Sequence, residues 1–373
     1  MSRHMMNVAG TSRDQMDVSL DIEKLAFSVE GKLRILRPFS SNCSIYRVPK
    51  RLRELNEKAY TPQVISIGPL HYGKEELKEM EEHKETVAIY IDRIFNKPWM
   101  RQEIRFDLCL LENQLPFFIV EDLFNLSKIL HHRKECSMIK LTHDLLSCAW
   151  DSWVPKDILK KNNLSEVEHF VDFLRICQQP AEHMQPKKLK TLTAPSVAEL
   201  HRAGIKFNLG SSINVLHIKF DDNEGTLEIP RLMILDQTEI LFRNLQAFEQ
   251  CNCDAYKYIC NYITMLSLLV PDAKDVEILV KKGIIENWLH DNDAVSRLVR
   301  NLSKENVINV NNFYFSGVVE DLNKYYRKRR HKWKAFLKQN YFRNPWTIIS
   351  VVAAAVLVTL SIIQTVCSII QVL

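Results

Sequence analysis

Phe106-Asp-Leu-Cys-Leu-Leu-Glu-Asn-Gln-Leu-Pro-Phe-Phe-Ile-Val-Glu-Asp-Leu-Phe124 is the run around which the expected architecture is built. Large apolar groups fall on nearly every face of this run, so it belongs at the centre of a core rather than on an amphipathic surface. Pro116 has no N–H to donate and its ring clashes with the preceding turn, which breaks any helix passing through it. Glu112, Asn113 and Gln114 then sit in apolar surroundings, where polar groups cost free energy unless hydrogen-bonded. The expectation is that they tie down the backbone around the proline break. A catalytic Glu112 is the alternative reading.

Outward from this run the chain reads as mostly helical. Tyr60 to Ile67 is β-branched and follows a proline pattern, so it is expected to be extended, and Gly68 to Gly73 to be a turn. Glu75 to Ile94 predicts a helix. Ser165 with Glu168, Ser196 with Glu199, Asp236 with Glu239 and Asp272 with Asp275 have the spacing of helix-start capping boxes. The helix from Asp236 would set Ile240, Leu241, Leu245 and Phe248 on one side. A helix over Tyr256–Val270 follows, and the one after Asp272 would carry Val276, Leu279, Val280, Ile284 and Trp288. Between them Leu216, Ile218 and Phe220 alternate with His217 and Lys219, and Leu227 and Ile229 alternate after the Asp221–Gly225 turn, which predicts one β-hairpin. Phe313 to Tyr341 predicts a long, increasingly basic helix.

The chain has 373 residues, and its net charge of +5 is uneven. Nine of the 50 Lys and Arg lie within Lys324–Arg343, leaving 41 basic against 45 acidic residues elsewhere. That local collar differs from a nucleic-acid-binding face, which spreads basic residues over a fold, so no nucleic-acid partner is expected. Beyond it, Asn344 to Leu373 contains no charged residue. A bilayer core of about 30 Å needs roughly 20 apolar residues, so residues 346–371 are expected to form one C-terminal transmembrane helix. The collar, with Trp333, Tyr341 and Trp346, would then face anionic lipid on the cytoplasmic side. This implies a tail-anchored, single-pass protein of the plasma membrane or an endomembrane, with the bulk of the chain cytosolic. The nine Cys are odd in number and irregularly spaced, and the first twenty residues hold no signal-peptide apolar run, so reduced thiols are expected.

Several strings occur together: Ser44-Ile-Tyr-Arg-Val-Pro49, Ser66-Ile-Gly-Pro-Leu-His71, Glu82-His-Lys84, Leu111-Glu-Asn-Gln-Leu-Pro-Phe-Phe118, Ile229-Pro-Arg-Leu232, Thr238-Glu-x-Leu-Phe-Arg-Asn-Leu245, Ala247-Phe-Glu-Gln-Cys251, Lys282-Gly-Ile-Ile285 and Asn344-Pro-Trp346. In these the chain resembles the plant family called domain of unknown function 247, over about residues 43–373. The resemblance implies a plant membrane protein with a largely helical domain and supplies no activity. Some relatives are associated with recognition in grass self-incompatibility, which reaches this chain by analogy only. One departure stands out: the family pattern has a further helical stretch, with an Asp-Gly-Cys-Phe motif, where here Lys84–Tyr90 runs almost directly into Ile94-Phe-Asn-Lys-Pro-Trp99. The expected organisation is a mobile lead-in at 1–41, a single helical family domain with a small β-hairpin at 42–343, lacking that stretch near 90–93, and the transmembrane helix.

Motifs for chemistry are weak. Gly68-Pro-Leu-His-Tyr-Gly-Lys-Glu75 has the spacing of a phosphate loop, but Glu75 replaces the Mg²⁺-binding hydroxyl and Pro69 removes a donor. Cys251, Cys253 and Cys260 lack the two spaced pairs of a structural zinc site and are expected to be inert thiols. His131 and His132 are expected to be exposed. No catalytic, cofactor-binding or metal-ligating residue is assigned, and no cofactor. The leading expectation is a non-enzymatic, membrane-anchored interaction or recognition module with protein partners. The alternatives are an enzyme using Glu112, His71 or His83, and a structural scaffold.

Overall fold

The computed structural model describes residues 45–77, 97–131, 137–160, 164, 167–180, 189, 191–252, 256–328 and 345–372. Among them are twelve α-helices: α1 Lys50–Arg53, α2 Pro98–Asp107, α3 Phe117–His131, α4 Met138–Ser147, α5 Phe170–Cys177, α6 Val197–Arg202, α7 Thr238–Cys251, α8 Tyr258–Leu269, α9 Ala273–Lys281, α10 Asn292–Ser303, α11 Ser316–Arg327 and α12 Pro345–Val372. Five strands accompany them: β1 Lys206–Gly210, β2 Lys219–Asp221, β3 Thr226–Pro230, β4 Leu232–Ile234 and β5 Ile285–Asn287.

Helix α7 is the centre of the core. Leu241 through Glu249 are all buried, so the helix is covered on every side rather than on the one expected from its apolar spacing. Trp153 meets Phe242 edge-on at 5.3 Å, and Tyr262 of α8 stacks on Phe242 at 6.0 Å. The polar residues of α7 are bonded instead of solvated. Asn244 accepts from Leu111 N–H (2.8 Å) and donates to the Ala59 carbonyl (2.7 Å). Gln246 donates to the Leu302 carbonyl (3.1 Å), and Glu249 accepts from Ile259 and Cys260 N–H (2.9 and 2.8 Å). Each such bond satisfies a buried donor or acceptor at the end of another segment.

The proline break occurs as expected: α2 ends at Asp107 and α3 starts at Phe117. The expected hairpin is the antiparallel pair β2–β3, closed through Gly225 at φ 64°. It is not alone, because β1 pairs with β3 in parallel, Lys206 opposite Thr226 through Gly210 opposite Pro230. A second parallel pair, β4–β5, sets Leu232 opposite Ile285 and Ile234 opposite Asn287. The residues expected at the end of the helix after Asp272 thus form a strand; Gly283 at φ 68° ends that helix at its C-terminus.

Two of the four capping boxes form, at Ser196/Glu199 and Asp272/Asp275. Helix α5 is instead capped by His169, whose ring accepts from Asp172 N–H, and Ser165 lies outside the described residues. Helix α7 has no side-chain cap at Gln237. The expected helix over Glu75–Ile94 is described only in the 3₁₀ turn Glu75–Leu77, the rest lying outside the described residues together with the 1–41 lead-in.

The C-terminal expectations are corrected. Among the described residues no helix is long and apolar enough to cross a membrane. That overturns the transmembrane helix at 346–371 and the tail-anchored single-pass placement, and leaves the bilayer contact expected of it without that support. The described side chains of α12 lie between Ile349 and Thr365, where Ser350, Thr359, Ser361, Gln364 and Thr365 interrupt the apolar ones. The long basic helix is corrected as well: α11 stops at Arg327, and Lys328 turns extended (φ −61°, ψ 118°). The Lys328 ammonium donates to both oxygens of Asp222 (3.0 and 3.1 Å) and lies over the Tyr325 ring. The remainder of the collar, 329–343, lies outside the described residues.

Candidate functional site

The polar residues of the central run meet the N-terminal segment in one buried junction. Asp107, at the end of α2, accepts from Gln63, Val64 and Ile65 N–H (2.9, 2.7 and 2.8 Å). Asn113 accepts from Ile67 and Gly68 N–H (2.7 and 3.0 Å) and donates to the carbonyls of Ile65 and Asp107 (2.8 and 3.0 Å). Gln114 donates to the carbonyls of Leu108 and Leu110 (2.9 and 2.7 Å). Residues 63–68 are therefore extended or turned because two side chains, Asp107 and Asn113, take up their backbone donors. This also explains why Gly68–Glu75 is no phosphate cradle: its first N–H is already spent on Asn113.

Glu112 is 3% exposed. Its carboxylate accepts from Val48 N–H (2.9 Å) and pairs with the Arg53 guanidinium. His71, named with Glu112 as an alternative catalytic residue, lies beside it, Nε2 to Oε2 3.4 Å. Burial, then the charges of Lys74 and Arg53, pushes the His71 imidazole down to about 4, so it is neutral at physiological pH. The structure thus brings together two of the three residues of the enzyme alternative and adds Arg53. His83 lies outside the described residues. The carboxylate is bonded by backbone and guanidinium, as the tying role requires.

A second polar group surrounds Phe248 of α7 and was not visible as a unit in the sequence. Tyr46 and His169 meet this ring edge-on at 5.3 and 4.8 Å, and the Arg175 guanidinium lies 5.6 Å from its centre. Arg175 binds Asp172, and Tyr46 donates to Glu168 (3.2 Å). Burial and the neighbouring Asp172 charge push Glu168 up to about 7, and burial pushes His169 down to about 4.

Cys260 is buried, its thiol pushed well up by burial; Cys251 is half-buried at the end of α7, and Cys253 lies outside the described residues. Among the described residues no group of three or more His, Cys, Asp or Glu could hold a metal ion. Cys109, Cys148, Cys177, Cys251 and Cys260 form no disulfide. The side chains of His131 and His132 lie outside the described residues.

A concave feature lies elsewhere. A cavity of about 130 Å³ opens between residues 148–153 and the start of β4 and α7. Trp150, Trp153, Leu232, Leu241 and Phe242 give it an apolar lining, and Met233 borders it. Arg231 and Asp151, both exposed, add one charge of each sign. Nothing in the sequence marked this cavity, because its walls come from segments some eighty residues apart.

A family described as "Plant protein of unknown function" (DUF247) matches residues 45–91 and 89–360. "UPF0481 protein At3g47200" of Arabidopsis thaliana is 26% identical over 418 residues, spanning 87% of this chain and 85% of the relative. "Putative UPF0481 protein At3g02645" of the same plant is 28% identical over 183 residues, 48% of this chain and 34% of the relative. No solved structure matches the chain.

Proposed function

Since the chain belongs to the DUF247 family of plant proteins of unknown function, we propose its role from its own surface: a non-enzymatic interaction module that takes a large apolar side chain of a protein partner into the cavity beside β4. The observation that carries this reading is the cavity itself, about 130 Å³ with an aromatic floor. An apolar cavity of about 150 Å³ accepts a benzene-sized group. Aromatic-lined pockets filled by one anchor residue are where binding energy concentrates in protein interfaces.

A second reading, an enzyme acting through Glu112 and His71, has their 3.4 Å approach in its favour. Against it, Glu112 is already engaged by Val48 and Arg53.

The test is selection of linear peptides from a random display library on the purified chain. Enriched peptides should share a large apolar residue, and Ser152→Trp, which fills the cavity, should weaken them at least tenfold. Equal binding to both proteins would overturn the reading.

A further inference from the structure

The reading above leaves open how a partner would lie, and the backbone of β4 answers that. Leu232 N–H donates to the Ile284 carbonyl (2.8 Å), and the Ile234 carbonyl accepts from Trp288 N–H (2.9 Å). Both residues therefore turn their backbone groups towards β5. Along a strand these directions alternate, so the N–H and C=O of Met233 point the opposite way. No backbone or side chain among the described residues bonds them. β4 has β5 on one side only.

The cavity lies along this unpaired edge. Its lining takes consecutive residues of the strand, Arg231, Leu232 and Met233, and nothing from β5. A cavity over one face would take alternate residues; one that takes neighbours of both orientations runs along the edge. The edge is short, because Leu235 N–H is already taken by Thr238 Oγ1 (2.8 Å).

We propose that the cavity's partner is an extended peptide segment that adds as a strand to the Met233 edge of β4, setting one large apolar side chain into the cavity. This inference rests on the cavity being a docking site. Main-chain bonds to Met233 would hold the segment, and the pocket would select its side chain. Charge narrows the class further. Arg231 is 55% exposed with only a long contact to Glu286 (3.5 Å), and Asp151 stands on the opposite wall. The fitting segment carries an acidic residue on the β4 side and none against residues 148–153.

The experiment uses a peptide selected on the full chain and weakened by Ser152→Trp. Backbone N-methylation is scanned along it, and exchange of the Met233 amide hydrogen is followed with and without peptide. Strand addition predicts at least tenfold weakening at alternate positions only, together with slowed Met233 exchange. Arg231→Glu should weaken an acidic peptide at least tenfold, and a Lys at the acidic position should restore it. Cavity-dependent binding with no alternation and unchanged Met233 exchange would sink strand addition and leave the docking reading standing. If no peptide responds to Ser152→Trp, the docking reading fails and this inference fails with it.

Discussion

The backbone of Gln114 occupies the space that a side chain on Gly68 would need: a Cβ there would lie 2.9 Å from the Gln114 nitrogen and 3.0 Å from its oxygen. This contact presses the Gly68–His71 turn onto the proline break. Both partners of the clash are backbone, so neither can swing aside. Gly68→Ala should cost about 1–3 kcal/mol through overpacking, read as a lower urea midpoint. An unchanged midpoint would mean that the turn is not seated on residues 113–114.

Asn244 holds two ends of the N-terminal segment to α7, through Leu111 N–H and the Ala59 carbonyl. Asn244→Ala leaves both buried without a partner, so roughly 2–4 kcal/mol of stability should go. Asn244→Asp should recover less than half, since a carboxylate can accept from Leu111 but cannot donate to Ala59. Equilibrium denaturation of the three proteins checks the order.

Glu112→Ala should destabilise by about 3–5 kcal/mol, because it strands the Arg53 guanidinium and Val48 N–H together. Glu112→Gln keeps an acceptor for Val48 and should cost less. Under the interaction reading Glu112→Gln leaves binding of cavity-dependent peptides within twofold. Loss of that binding in a variant that still melts cooperatively would contradict it.

Glu249 is fully buried, and burial pushes its carboxyl up from 4.5 to about 7 against the pull of two backbone donors. A carboxyl raised on folding contributes stability that is full below about pH 4.5 and is lost as pH rises through about 7. The loss amounts to about 3 kcal/mol, at ~1.4 kcal/mol per pKa unit. His71 and His169, both pushed down to about 4, act the other way and take stability as pH falls from 6.5. Comparison with Glu249→Gln separates the two, since the variant lacks only the carboxyl slope. The variant should gain on the parent protein between pH 5 and pH 8 in urea titrations; parallel profiles would refute the assignment.

Gly225 and Gly283 both have positive φ, but a Cβ on Gly225 would fall 2.4 Å from the Tyr325 hydroxyl whereas one on Gly283 meets nothing within 4 Å. Both substitutions to Ala carry the backbone penalty of about 1 kcal/mol. Only Gly225→Ala should also loosen the end of α11, seen as faster amide exchange at Tyr325 and Tyr326. Equal exchange in the two variants would show that Tyr325 yields without cost.

Some helix boundaries and much of the interior were already fixed by local sequence. Pro116 broke the central run because a proline cannot donate, and the Ser196 and Asp272 boxes formed because side chain and backbone are three residues apart. Family membership was legible too, since the strings at 44–49, 66–71, 111–118 and 238–251 occur together. Local patterns failed where the partner was distant. β1, β4 and β5 are each short, and their pairing is decided by strands up to fifty residues away, so no period of two could develop. Glu112, Asn113 and Gln114 were legible as buried polar groups, but Val48, Arg53 and Ile67 as their partners were not. The apolar tail read as a membrane span from composition alone, yet no described helix has the length and apolarity to cross one. Tertiary structure alone also placed Met233's unpaired backbone beside a cavity walled by residues 148–153 and by side chains of β4 and α7. Burial and hydrogen bonding depend on what folds back against a segment, and no single stretch of chain encodes its neighbour.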